Sequence, residues 1–183
     1  MILRSDWITN AIYILLFNAI EGANNGLVPH SSIFRLLRNA HDDSRIRKTL
    51  PNARYTFSDI QYVLGIMRKF GLSFTDGQDS EFIPMLCRQK ADVDIWEYEQ
   101  DPDTLEFHME FEYLPDNLLH RLMVERHKDL DLSRVWRTGA VFRLPALELS
   151  AVVAIDGNLL CFYVRADSKN HSPVPICRCF RKV

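Results

Sequence analysis

The sequence is short of the residues that specialised chemistries need. It has seven glycines in 183 residues, and none lies in a G-x-x-x-x-G-K-[ST] run, so it offers no loop to cradle phosphates as P-loop proteins do. Lys and Arg number 22 against 24 Asp and Glu, and the net charge of −2 argues against a dedicated nucleic-acid surface, which is visibly basic. The four cysteines, Cys87, Cys161, Cys177 and Cys179, are scattered, and no secretory signal precedes them. Reduced thiols and a cytoplasmic location are therefore expected rather than a disulfide framework. Cys177-x-Cys179 is the closest cysteine pair, and without a second cluster it makes a weak metal or redox motif. The longest apolar run, residues 7–20 (WITNAIYILLFNAI), is interrupted by Thr9, Asn10 and Asn18 and preceded by Asp6. A bilayer needs about 20 apolar residues, so neither a membrane span nor a signal peptide is expected.

What remains is an ordinary globular composition, 47% hydrophobic, enough to pack one domain or two small ones. The run at 7–20 reads as a nearly buried helix, capped by Ser5 or Asp6 and ended by Gly22, with Asp6, Asn10 and Glu21 on one narrow polar stripe. Phe17 falls in the middle of that stripe and Tyr13 beside it. Two aromatics on a wet face point to a contact with something else, either another protein or the second half of the chain. Asn24-Asn25-Gly26 is a turn, and residues 29–40 read as a second helix with Ile33, Leu36 and Leu37 inward. Residues 41–54 are polar and broken by Pro51. A third helix, opened by Thr56 or Ser58, carries Ile60, Val63, Leu64 and Met67 at helical spacing and closes with glycine at Gly71. Two short apolar pieces around Asp76-Gly77 then read as a hairpin.

Three helices and a hairpin follow one another in a winged helix, which raises nucleic-acid binding as an alternative function. In that mode the third helix offers bases such as Arg or Lys to the major groove. Here the helix has Asp59, Gln61, Arg68 and Lys69, and the wing carries Asp76, Asp79 and Glu81 and no basic residue, which would repel phosphate. A protein-docking winged helix is the better expectation.

Residues 88–103 turn polar and acidic, with Val93, Ile95 and Trp96 as apolar anchors and room for an edge strand; they mark the boundary between halves. From 105 to 113 apolar and polar residues alternate without a break, predicting a strand that buries Leu105, Phe107, Met109, Phe111 and Tyr113 and exposes Glu106, His108, Glu110 and Glu112. Leu114-Pro115 stops the strand and starts a helix, because proline fits a first helical turn. Leu118, Leu119, Leu122, Met123, Val124 and Leu130 form its apolar side. A second strand is predicted over 135–144, with Trp136 near its start and Gly139 inside. Residues 147–155 and 159–164 flank Asp156-Gly157-Asn158, the strongest hairpin signal in the chain. Residues 167–183 read as a loose tail. The expected class is α+β: a winged-helix-like subdomain, then a mostly antiparallel sheet with one packed helix.

The order FEYLPDNLLHRL then VWRTGAVFRL resembles the second half of the COR domain, which follows the Roc GTPase in Roco proteins and leucine-rich-repeat kinases. The residues that carry the likeness are Tyr113, Leu114, Pro115, Arg121, Trp136, Arg137 and Gly139. The resemblance implies that residues 1–90 are a winged-helix-like first half of COR and 91–183 the second half, ending earlier than the family usually does. It implies a non-catalytic regulatory, interaction and dimerisation module, partnered by a Roc-type GTPase domain in cis or in trans, with a homodimer open. Tyr13, Phe17, Tyr113, Pro115, Arg121, Trp136 and Arg137 are the expected interface residues, Tyr113 and Trp136 meeting at the end of the sheet. No cofactor, metal, nucleic acid or membrane is expected.

Enzymatic readings are weaker. Glu106, Glu110 and Glu112 form a carboxylate row, but alternation on an exposed strand face accounts for them. His120 and His127 lie seven apart, where a helical metal pair needs i, i+4. No Ser, Cys or Lys has a recognisable base partner in sequence.

Overall fold

The apolar run near the N-terminus folds as α1 (Ser5–Phe17) in a computed structural model that describes residues 5–18, 20–49, 54–77, 79–89, 103–115 and 117–166. Helices and antiparallel sheets are both present, and the chain divides into two compact units, Met1–Cys87 and Arg88–Val183. In α1 the inward side is Ala11, Ile14 and Leu15, the i, i+3, i+4 set that one face of a helix presents to a core.

The first unit continues with β1 (Leu27–Pro29), α2 (His30–Arg38), α3 (Ser44–Thr49), α4 (Phe57–Lys69), β2 (Phe74–Asp76) and β3 (Ser80–Phe82). Its sheet has the order β1-β3-β2, both pairings antiparallel. Thr56 caps α4: its hydroxyl accepts from the Asp59 N–H, and its own N–H donates to the Asp59 carboxylate at 2.8 Å. Such a box contributes about 1 kcal/mol. The other end closes on Gly71, at φ +68°, with Leu72 N–H donating to Met67 O at 2.9 Å and Gly71 N–H to Arg68 O at 3.0 Å. Only a residue that tolerates positive φ completes that pattern cheaply. One apolar core joins α1, α2 and α4 through Ile14, Leu15, Ile33, Leu37, Ile60 and Met67.

The second unit contains β4 (Leu105–Glu110), α5 (Leu118–Glu125), β5 (Leu130–Trp136), β6 (Gly139–Leu144), β7 (Leu149–Asp156) and β8 (Leu159–Ala166). β5 to β8 form a meander, and β4, the earliest strand, pairs on the far side of β8, giving the order β4-β8-β7-β6-β5. β7 is central, and Ala151, Val152, Val153 and Ala154 are all buried, so both of its faces are dry. The expected β7–β8 hairpin is present, and its turn is the two residues Gly157, at φ +58°, and Asn158, since Asp156 pairs with Leu159.

Several expectations are corrected. The helix predicted from Pro115 begins at Leu118, and Leu130 is the first residue of β5, not part of the helix. The single strand predicted over 135–144 is a hairpin: Trp136 pairs with Gly139, with Arg137 and Thr138 at the turn. The stretch 41–54, read only as polar and broken by Pro51, contains α3. β4 stops at Glu110 and its apolar face is not buried: Phe107 is 54% and Met109 41% exposed, the strand lying at a sheet edge where, among the described residues, only β8 flanks it. The possible edge strand within 88–103, apart from Arg88, Gln89 and Asp103, the Cys177-x-Cys179 pair and the 167–183 tail lie outside the described residues. Among the described residues no helix is long and apolar enough to cross a membrane.

Candidate docking surfaces

On α1, Tyr13 and Phe17 are one turn apart and their rings meet in a tilted pair, centroids 4.5 Å apart and planes at 31°. Both are exposed, at 48% and 60%, while Ala11, Ile14 and Leu15 occupy the other side of the helix. The pair is a small aromatic platform on the first unit's surface.

The strand-to-helix corner of the second unit turns Leu114 inward and leaves Pro115 exposed. Tyr113 is 75% exposed, the most exposed of the large hydrophobic side chains among the described residues. The Pro115 carbonyl accepts the Leu118 N–H at 3.0 Å, so proline fixes the approach to α5 from two residues before its N-cap, Asn117. Arg121 reaches Glu125 at 3.5 Å, one turn on; with both side chains over half exposed, that pair contributes well under about 1 kcal/mol. Its guanidinium is therefore available to another carboxylate.

Trp136 is buried at 2% and packs with Val141, Val152, Cys161 and Tyr163. It does not meet Tyr113. β4 and β5 are opposite edges of a five-stranded sheet, four strand spacings apart, about 19 Å at ~4.8 Å per step, so a residue just past one cannot share a rim with a residue of the other. The indole lies across Gly139: any Cβ there would fall inside the ring. The Trp-Arg-x-Gly sequence is thus a packing device, in which glycine makes the space that tryptophan fills.

Arg137, between them, is held by its backbone. Its N–H donates to Arg88 O at 2.7 Å and its carbonyl accepts from His120 Nε2 at 3.1 Å. A carbonyl only accepts, so the His120 proton is on Nε2. Burial pushes the His120 pKa down, outweighing the bond to Arg137 O, and keeps the ring neutral.

A polar centre not foreseen as such lies in the first unit. Glu81, counted above among the wing's charges, is fully buried, and its carboxylate accepts from Arg68 Nε at 2.9 Å, Arg68 Nη2 at 2.6 Å and Ser73 Oγ at 2.6 Å, with His30 Nε2 at 3.2 Å. Burial alone would raise its pKa, but the bonds from Arg68, Ser73 and His30 prevail and hold it below the usual carboxylate range. Arg68, which sequence offered as a base-reading side chain, is spent on this carboxylate. The four residues come from α2, α4, β3 and the lead into β2, so the cluster ties the hairpin to the helices. Alternation in Ser80-Glu81-Phe82 says that Glu81 shares neither neighbour's face; no sequence signal names the distant partners.

Among the described residues no three His, Cys, Asp or Glu groups are placed to hold a metal ion. None of the curated proteins compared with the chain matches it. Residues 102–173, which include all six elements described in the second unit, match the family model for the C-terminal of Roc, COR-B domain.

Proposed function

We propose that the chain is a non-catalytic regulatory, interaction and dimerisation module associated with a Roc-type GTPase domain. The COR-B match over residues 102–173 carries this reading, since the family's own description places it C-terminal of Roc. Residues 1–90 would then be the first half of the COR region and 91–183 the second. The first unit supports a winged-helix-like body: a helix, a strand, further helices and a hairpin, with the strands in the order β1-β3-β2. Its α4, in the place of the third helix, exposes Phe57 and Tyr62, with Phe70 exposed at its C-cap, while Arg68 is turned onto Glu81. Aromatic rings on that helix favour a protein partner over a phosphate backbone.

In this reading Tyr113 and Arg121, around the Pro115 corner, form one contact with the GTPase domain, and Tyr13 with Phe17 forms a second. Tyrosine suits such a rim, combining a large apolar area with a polar tip. Titration of a Roco-type GTPase domain into the whole chain by calorimetry is the test. Saturable binding that Tyr113→Ala weakens by about tenfold, about 1.4 kcal/mol, supports it; a folded chain that binds no such domain refutes it. A salt-sensitive gel shift with duplex DNA would instead favour a winged-helix nucleic-acid binder with an appended sheet domain.

A further inference from the structure

Among the described residues β4 is an edge of its sheet. The Phe111 N–H donates to Asn158 O at 3.1 Å, in the same register that sets Met109 opposite Leu160 and Phe107 opposite Phe162. Bonded pairs alternate along an antiparallel ladder. The odd-numbered residues therefore direct their backbone groups to β8, and the N–H and C=O of Glu106, His108 and Glu110 project outward. The side chains divide as cleanly. Glu106, His108 and Glu110 share one face, with Glu106 and His108 paired at 2.7 Å. Phe107 and Met109 share the other, exposed, with Phe107 against Phe162 at 6.0 Å between centroids.

Proteins commonly blunt an edge with lysine, proline, a bulge or a very short strand. β4 has six residues in unbroken register with no lysine, proline or bulge, and its charged carboxylates, Glu106 and Glu110, guard it against acidic strands but not against basic ones. We propose that β4 binds an extended basic peptide segment of another protein by adding it to the sheet as a further strand. The segment reads basic, apolar, any, apolar, basic: Lys or Arg opposite Glu106 and Glu110, apolar residues opposite Phe107 and Met109. Charge selects this occupant. A second copy of the strand, antiparallel and centred on His108, would set Glu106 opposite Glu110 twice, and like charges directly opposite repel. A basic partner turns both positions into attraction and leaves the main-chain bonds to supply affinity.

The test is fluorescence anisotropy of a labelled peptide containing Lys-Val-Thr-Val-Lys against the whole chain. Saturable binding is expected, lost when alternate peptide amides are N-methylated. Glu106→Lys with Glu110→Lys should weaken the basic peptide about tenfold and confer binding of the Glu-Val-Thr-Val-Glu counterpart. Both side chains are exposed, so the folded state should survive the exchange, which a urea midpoint checks. Hydrogen exchange on the unaltered chain gives a second readout: slowed amides at Glu106, His108 and Glu110 on peptide binding. No binding of the basic peptide, equal binding of its N-methylated form, indifference to charge reversal in a folded variant, or unprotected edge amides each overturns the proposal.

Discussion

Replacing Glu81 with glutamine removes one charge and almost no volume from the side chain that ties the first unit's hairpin to its helices. Two contacts set the magnitude. Arg68 bonds both carboxylate oxygens, at 2.9 and 2.6 Å, and Ser73 Oγ bonds one at 2.6 Å. Hydrogen bonds to a charged group contribute about 1.5–3 kcal/mol against about 0.5–1.5 for neutral ones, and the glutamine amide also turns a donor toward converging donors. The sum is about 2–3 kcal/mol of lost stability. It stays below the ~3–5 kcal/mol of breaking a fully buried pair, because the Arg68 side chain is 40% exposed and water takes over part of its solvation. The pH dependence isolates the charge. The folded pKa of Glu81 is lowered, so its contribution is present above the unfolded value of about 4.3 and is lost as pH falls through the folded value. Urea unfolding at pH 7 should separate Glu81→Gln from the parent by that amount, and the gap should close in acid, where the parent's own carboxyl is neutral. Hydrogen exchange of the whole chain should show faster amides in α2, α4 and β3 and unchanged ones in β7. A difference under about 0.5 kcal/mol at pH 7, or one of the same size well below the folded pKa, would refute the account.

Tyr113→Ala should cost less than about 1 kcal/mol in urea unfolding, far below the ~3–5 kcal/mol of a core aromatic, because the ring is 75% exposed; a core-sized loss would return it to a structural role. Gly139→Ala should destabilise by about 1–3 kcal/mol or more through overpacking against the Trp136 indole, read as a lowered urea midpoint with altered tryptophan fluorescence. His120, held neutral by burial, contributes stability that is present above its unfolded pKa of about 6.5 and lost as pH falls from there through the lowered folded value; His120→Gln should flatten that part of a stability–pH profile. Calorimetry with GTP and GDP should give no binding tighter than about 10 µM by this chain alone, and a tighter constant would contradict the missing phosphate loop.

How far the fold was legible follows from which signals are local. α4 could be read almost to its ends, since Thr56 with Asp59 and Gly71 are local capping chemistry. The hairpin turn at Gly157-Asn158 was equally plain. The β5–β6 turn was missed because Arg137-Thr138 carries no glycine or proline; the glycine that mattered follows the turn and serves the tryptophan, not the bend. Alternation over β4 gave the strand and its two faces correctly but not the burial, since period two reports which residues share a side and cannot say whether anything covers it. The Glu81 centre was illegible for a different reason: its partners lie 8, 13 and 51 positions away. A buried charge looks the same in sequence as an exposed one until the fold supplies its cations.

The residues that carry the family likeness therefore answer to two separate constraints. Trp136 at 2% exposure, lying on Gly139, cannot contact a partner without opening the β5–β6 hairpin, and its deletion from a core cluster would cost about 3–5 kcal/mol. Tyr113 at 75% exposure contributes little to the fold. A loss of partner docking on changing either one would thus have different origins. At Tyr113 it would appear with stability intact. At Trp136 it would appear with a weakened sheet, passed on through Arg137, whose backbone is fixed between Arg88 and His120 by the same turn. Measuring stability beside affinity for both variants separates the motif residue that builds the surface from the one that is the surface.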